Sequence, residues 1–211
     1  MMRQTYPLPA ASLRCVAALI LLLLCQAAAA STDAGWTLAR EDSGIALFTR
    51  EVPGSPYLEV KATAVVDTSI DKVTAAFGDG NRCAAWRRMC KSSQVLKVAS
   101  RHERFVHMVL DLPWPMSDRD LVVRAVTEID EASRSATVHM APAPGVYPLQ
   151  DYIRAQSHAQ FNMQVLNEGQ VALSYRVHID LGGDASPGLV NPRLASSTFE
   201  DMARLVAMAR G

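Results

Sequence analysis

The sequence predicts an α+β fold in which an antiparallel sheet packs one face on helix. Three observations lead there. Segments alternating apolar and polar residues with period two recur from Trp36 to Leu181. One or two short helical patterns interrupt them early. An amphipathic pattern from Pro187 to Arg210 then closes the chain.

The N-terminus reads as a targeting segment. Arg3 and Arg14 precede the apolar run CVAALILLLLC, Cys15 to Cys25, and QAAAAS offers a small-x-small cleavage site after Ala30. The run is shorter than the about 20 apolar residues of a membrane span. Residues 1–30 are therefore expected to be a cleavable signal peptide, and 31–211 one domain delivered to the periplasm or secreted. An uncleaved signal anchor is the alternative. Leu24 stands where a lipobox takes a small residue, which argues against lipidation of Cys25. Removing Arg3 and Arg14 leaves 19 basic against 21 acidic residues and no basic run. Nothing in that balance attracts nucleic acid or anionic lipid.

WTLARED and IALFTREV flank a turn at Asp42–Gly44, a hairpin signal. PYLEVKATAVVD alternates as a half-buried strand does. TSIDKVTAAFGD has Thr68 or Ser69 as N-cap, an inner face of Ile70, Val73, Ala76 and Phe77, and a stop at Gly78 or Gly80. SQVLKVAS, ERFVHMVLD, LVVRAVTEID and SATVHMAP are four further strands. DYIRAQSHAQFNMQVL and VALSYRVHIDL make a long hairpin around NEGQ. In the closing helix, Leu189, Val190, Leu194, Phe199, Met202, Leu205, Val206 and Met208 form the apolar side. Pro192 should kink that helix or delay its start. A curved sheet around such a helix leaves space between the layers for a ligand.

Only Cys83 and Cys90 remain after cleavage, and an oxidising compartment favours their pairing. Seven residues of unbroken helix rise about 10.5 Å, beyond the roughly 7 Å Cα separation that a disulfide spans. The bridge therefore requires CAAWRRMC to be a broken helix or a turn. A redox or metal pair would need CxxC spacing or a close histidine. No phosphate-binding glycine loop, HExxH or GxSxG is present, and His102, His107, His139, His158 and His178 are scattered over different strands. No cofactor or metal is expected.

Five stretches together resemble the steroidogenic-acute-regulatory-related lipid-transfer family, the START domains. PWPMSDRDLVVR resembles the family's Arg-Asp strand, and DYIRAQSHAQFNMQVL the Ile-Arg-Ala strand after it. SYRVHIDLGG and PGLVNPRLASSTFEDMARLV resemble the strand, glycine turn and helix that close the fold. WTLAREDSGIALFTREV resembles the opening hairpin. The similarity runs from about Gly35 to the C-terminus.

This resemblance implies a helix-grip fold: a curved antiparallel sheet wrapped around the C-terminal helix, enclosing one apolar cavity for a lipid or sterol. It also implies a gate. The loop with Trp114, Pro115 and Met116 is expected to form one side of it, and Leu189, Leu194, Phe199 and Met202 the other. Trp114 suits a lipid–water boundary, and Pro113 and Pro115 stiffen its loop; packing as an ordinary core residue is the alternative. Arg124 is expected to face the cavity, paired with Asp111, Glu128 or a ligand oxygen. Strand alternation equally allows an outward Arg124 with Val123 and Ala125 inward. Phe105, His107 and Val109 on one strand, with Tyr152 and Arg154 on another, complete the expected lining. Arg119 and Asp120 are expected to be a structural hydrogen-bonded pair.

Function then divides three ways. A monomeric lipid carrier touching membranes transiently, with no nucleic-acid partner, is the reading preferred. A cyclase- or aromatase-like enzyme could use Asp111, Arg124 and Tyr152 in the same hollow. A module presenting its lid surface to an envelope protein is the third class.

Overall fold

Strand pairing begins at a two-residue turn. In the computed structural model, which describes residues 35–211, Ser43 and Gly44 both take positive φ, 53° and 77°. That handedness matches the twist of the flanking strands, and it joins β1 (Thr37–Asp42) to β2 (Ile45–Arg50) as the expected hairpin. The segment read as a signal peptide, with Cys25 and its cleavage site, lies outside the described residues.

β3 (Glu59–Asp67) leads into α1 (Ile70–Phe77), where the Ser69 hydroxyl accepts the Lys72 N–H as an N-cap. Val73 is buried, and Ile70, Ala76 and Phe77 pack against the core, the face the spacing predicts. α2 (Cys83–Trp86) is a single turn; Arg87 is already extended and β4 (Cys90–Ser100) starts three residues later. The helix is thus broken where the cysteine spacing demands, and the Cys83–Cys90 disulfide forms with its Cα atoms 5.9 Å apart.

β5 (Glu103–Leu110), β6 (Arg119–Asp130) and β7 (Ser135–Pro142) follow as an antiparallel meander. The expected strand from Asp151 is divided. β8 (Ile153–Arg154) pairs in parallel with the start of β6, whereas β9 (Gln156–Asn167) pairs with β7 and with β10 (Gln170–Asp180). Competition between two partners splits the segment at Ala155. The sheet runs β1-β2-β3-β10-β9-β7-β6-β5-β4, with β8 beside β6.

α3 (Pro187–Arg210) is continuous through Pro192, which sits in its second turn. The expected disruption does not appear, and the one backbone bond that proline forgoes lies near the helix start. Val190, Leu194, Phe199, Met202, Leu205 and Val206 are buried, but Leu189 and Met208 face solvent. α3 packs on β2, β3, α1 and α2 and covers that half of the concave face.

Candidate functional site

The other half of the concave face holds a cavity of about 180 Å³. On three neighbouring strands the lining positions keep strict alternation: Arg104, Val106 and Met108 on β5, Val123, Ala125, Thr127 and Ile129 on β6, and Ala136, Val138 and Met140 on β7. Met163 and Tyr175 add the floor. Phe77, Cys83, Trp86 and Arg87 roof it, with the Gly78–Gly80 connection between α1 and α2. Gly80 is required there, since a Cβ would come within 2.9 Å of a Val95 methyl. Asp79 and Ile129 line the cavity yet are exposed, so the mouth lies between them. Phe77 stacks on Phe161 at 4.3 Å, and Trp86 meets the edge of Tyr175 at 5.8 Å, which makes the roof stiff.

The expected polar lining does not reach this space. Arg124 points to the outer face, its side chain 52% exposed, and donates from Nε to Glu103 at 2.6 Å. Its neighbours Val123 and Ala125 take the inward positions, as alternation requires. Phe105, His107 and Val109 share Arg124's face, because β5 and β6 pair Phe105 opposite Arg124. Tyr152 is exposed in the loop before β8, and Asp111 borders a polar surface groove with Arg88, Arg193 and Glu200. The gate residues sit elsewhere too. Trp114 is 92% exposed and joined to Pro115 by a cis peptide bond. Met116 and Leu194 close a separate hollow of about 10 Å³ beside Met89 and Leu112. Phe199 lies under the Arg40 guanidinium, 3.6 Å away, and Met202 is core. Pro115 and Leu189 are exposed.

Arg154, expected in the cavity, instead builds a buried cluster on the opposite side of the sheet. Its Nε and Nη2 donate to both Asp120 oxygens at 2.8 Å, and His107 Nε2 lies 3.0 Å from Asp120 Oδ2. Burial pushes the Asp120 carboxyl upward, but the hydrogen bonds from Arg154 and His107 outweigh it and hold it below the usual carboxylate range. Tyr147 packs on the His107 ring, and Arg154 also donates to the carbonyls of Pro144, Tyr147 and Pro148. The cluster thus straps the loop after β7 to the sheet. Arg119 does not pair with Asp120 as expected; it donates to the carbonyls of Leu181 and Ser117, at 2.7 and 2.6 Å.

The sequence reading did not assign the residues that line this cavity, and Arg87 and Tyr175 are two of its polar-tipped members. Arg87 lies in a segment whose only sequence signal is the cysteine pair, and Tyr175 in a strand of otherwise aliphatic inward positions. Beside them stands Asp201 of α3, whose Oδ1 accepts the Arg88 N–H at 2.5 Å and whose Oδ2 is 3.9 Å from Arg87 Nε. Burial pushes the Asp201 carboxyl up to about 6, with Arg87, the Arg88 amide and Arg204 opposing and Glu200 assisting. A folded value above the unfolded one means the native state holds the proton longer. The stability from this group is therefore full in acid and lost as pH rises through 6. Between pH 5 and 7.5 wild type should lose about 1–2 kcal/mol that Asp201→Asn does not lose. Urea unfolding at pH 5 and 7.5 checks this; equal pH slopes in both proteins would refute it.

Among the described residues, no cluster of three or more His, Cys, Asp or Glu side chains could hold a metal, and no helix is long and apolar enough to cross a membrane. An antiparallel sheet gripping a long C-terminal helix over an apolar hollow defines the helix-grip class. The START domain matches residues 21–210, and the chain belongs to that family. A STAR-related lipid transfer protein of Xanthomonas axonopodis is similar, with 26% identity and a TM-score of 0.76 over 84% of this chain and 99% of that one. Human StAR-related lipid transfer protein 5 shares the fold at 16% identity, with a TM-score of 0.77 over 95% and 97%. An uncharacterised protein of Pseudomonas aeruginosa is 24% identical over 158 residues, 74% of this chain and 77% of its own.

Proposed function

We propose that this protein is an exported carrier that encloses one hydrophobic molecule in the cavity beneath α1 and α2 and exchanges it at a membrane, without chemical change. The observation that carries this reading is the cavity wall, in which Val, Ala, Met, Ile and aromatic side chains outnumber the polar ones, Thr74, Asp79, Arg87, Arg104 and Thr127. Apolar surface removed from water is worth about 25 cal/mol per Å², so such a wall supplies affinity without a cofactor. Lipid transfer in the names of the Xanthomonas and human relatives supports the same class of ligand.

The cavity is smaller than the roughly 300–1,000 Å³ of common ligand sites. A molecule with one chain or a small ring system fits it, and anything larger requires the α1–α2 connection to lift. The Trp114 loop and the first turns of α3 are a second place of opening, because the hollow they close adjoins Met89, two residues from Arg87. Trp114, exposed and stiffened by prolines, would contact the bilayer there.

The test is native mass spectrometry with solvent extraction, on protein purified from the envelope of its source cells. A stoichiometric, noncovalent, extractable apolar molecule is the expected result. A covalently altered product after incubation would indicate an enzyme. Co-purification of one envelope protein, with nothing extractable, would indicate an interaction module.

A further inference from the structure

Resting on that reading of the cavity, we infer that the ligand enters and leaves beneath residues 78–82, a polar lid between α1 and α2 that is latched to β4 and β5, and not past the Trp114 loop.

The inference starts from the composition of the segment. Gly78, Asp79, Gly80, Asn81 and Arg82 carry no apolar side chain, although the first three line the cavity. The residues on either side of it are anchored. Phe77 stacks on Phe161 at one end, and at the other Cys83 is bonded to Cys90 at the start of β4. Between those anchors the five residues span the mouth, and lifting them brings no apolar side chain of their own into water.

What holds the segment down is polar. Arg104 Nη1 donates to the Gly78 carbonyl at 2.7 Å, the Val95 N–H to Asn81 Oδ1 at 2.9 Å, and the Cys83 N–H to Ser93 Oγ at 3.1 Å. Water replaces each of these bonds when the lid lifts, so each biases it toward closure only about threefold to tenfold. Three such latches leave an open state populated at about 1%. Gly80 seats directly on Val95 and Val106, with no side chain to pull free.

The Trp114 loop is closed by different chemistry. Asp118 accepts from Lys91 and from the Leu112 N–H, and beneath the loop Met89, Leu112, Met116, Ile179, Leu181 and Leu194 seal a hollow of about 10 Å³. Parting that seal exposes apolar side chains to water, which is unfavourable, and the hollow it uncovers is not the cavity itself. The lid is the easier route of the two.

Stopped-flow fluorescence with the neutral apolar probe N-phenyl-1-naphthylamine tests the route, on purified protein from which any co-purified ligand has been extracted. Asn81→Ala combined with Ser93→Ala removes two latches that lie outside the cavity wall. Uptake and release of the probe should both accelerate about tenfold, with Kd within about twofold of wild type, because free and loaded protein lose the same bonds. Asp118→Ala, which loosens the Trp114 loop, should leave both rates unchanged. Wild-type rates in the latch variant, or acceleration by Asp118→Ala, overturn the lid and leave the cavity standing. Failure of wild type to bind the probe at all overturns the carrier reading and the lid with it.

Discussion

Asp120→Ala should lose about 3–5 kcal/mol of stability, the largest effect expected of any single change here. Asp120 is fully buried, and its removal strands the Arg154 guanidinium and the His107 ring, whose side chains are also buried. A buried charge without its partner costs far more than the pair contributed. Urea unfolding measures the loss, and Asp120→Asn, which keeps one oxygen, should lose less. A cost below about 1 kcal/mol for the alanine variant would mean that Arg154 finds other acceptors. The carbonyls of Pro144, Tyr147 and Pro148 that it already contacts would be the first candidates.

Ala125→Trp should abolish uptake of hydrophobic ligands, with at least a hundredfold loss of affinity and no loss of fold. Ala125 projects into the cavity from the middle of its wall, so an indole there occupies much of the about 180 Å³. Filling a void with apolar atoms tends to stabilise rather than strain. The matched control is Arg124→Trp, one residue away on the opposite face, which should bind normally. Native mass spectrometry of the three proteins reads the outcome directly. Retained ligand in Ala125→Trp would place the binding site outside this cavity.

Much of the architecture was legible in the sequence because local chemistry and tertiary packing agree. The Ser43–Gly44 turn, the Ser69 cap and the apolar stripe of α3 are each dictated by residues close to one another, and each formed as expected except that Leu189 and Met208 of the stripe face solvent. The cavity lining was not legible, for one reason that covers several residues. Alternation shows that Phe105, His107 and Val109 share a face, and pairing puts Arg124 with them, but periodicity does not say which face is inside. β5 from Val106 onward and β6 from Arg119 to Val123 are buried on both sides, because the loop strapped down by Arg154 covers the outer face. The usual contrast between wet and dry faces is therefore missing there. A single choice of parity displaced four residues together. Arg87 and Tyr175 come from distant parts of the chain, and only the closed fold brings them to one cavity wall.

The pairing of β3 with β10 places neighbours in the middle of the sheet that lie 103 residues apart at Asp67 and Gln170. Until the last quarter of the chain arrives, β1–β3 can form only a small ribbon with an open flank, and the β4–β7 meander another. Contacts of such long range pay their loop-closure entropy before returning any stability. Folding is consequently expected to be slow and to finish only once the chain is whole, with the C-terminal hairpin as the piece that joins two unfinished halves. A chain emerging from a translocation channel with its N-terminus first would present those halves separately, open to premature association, for as long as its own end is withheld.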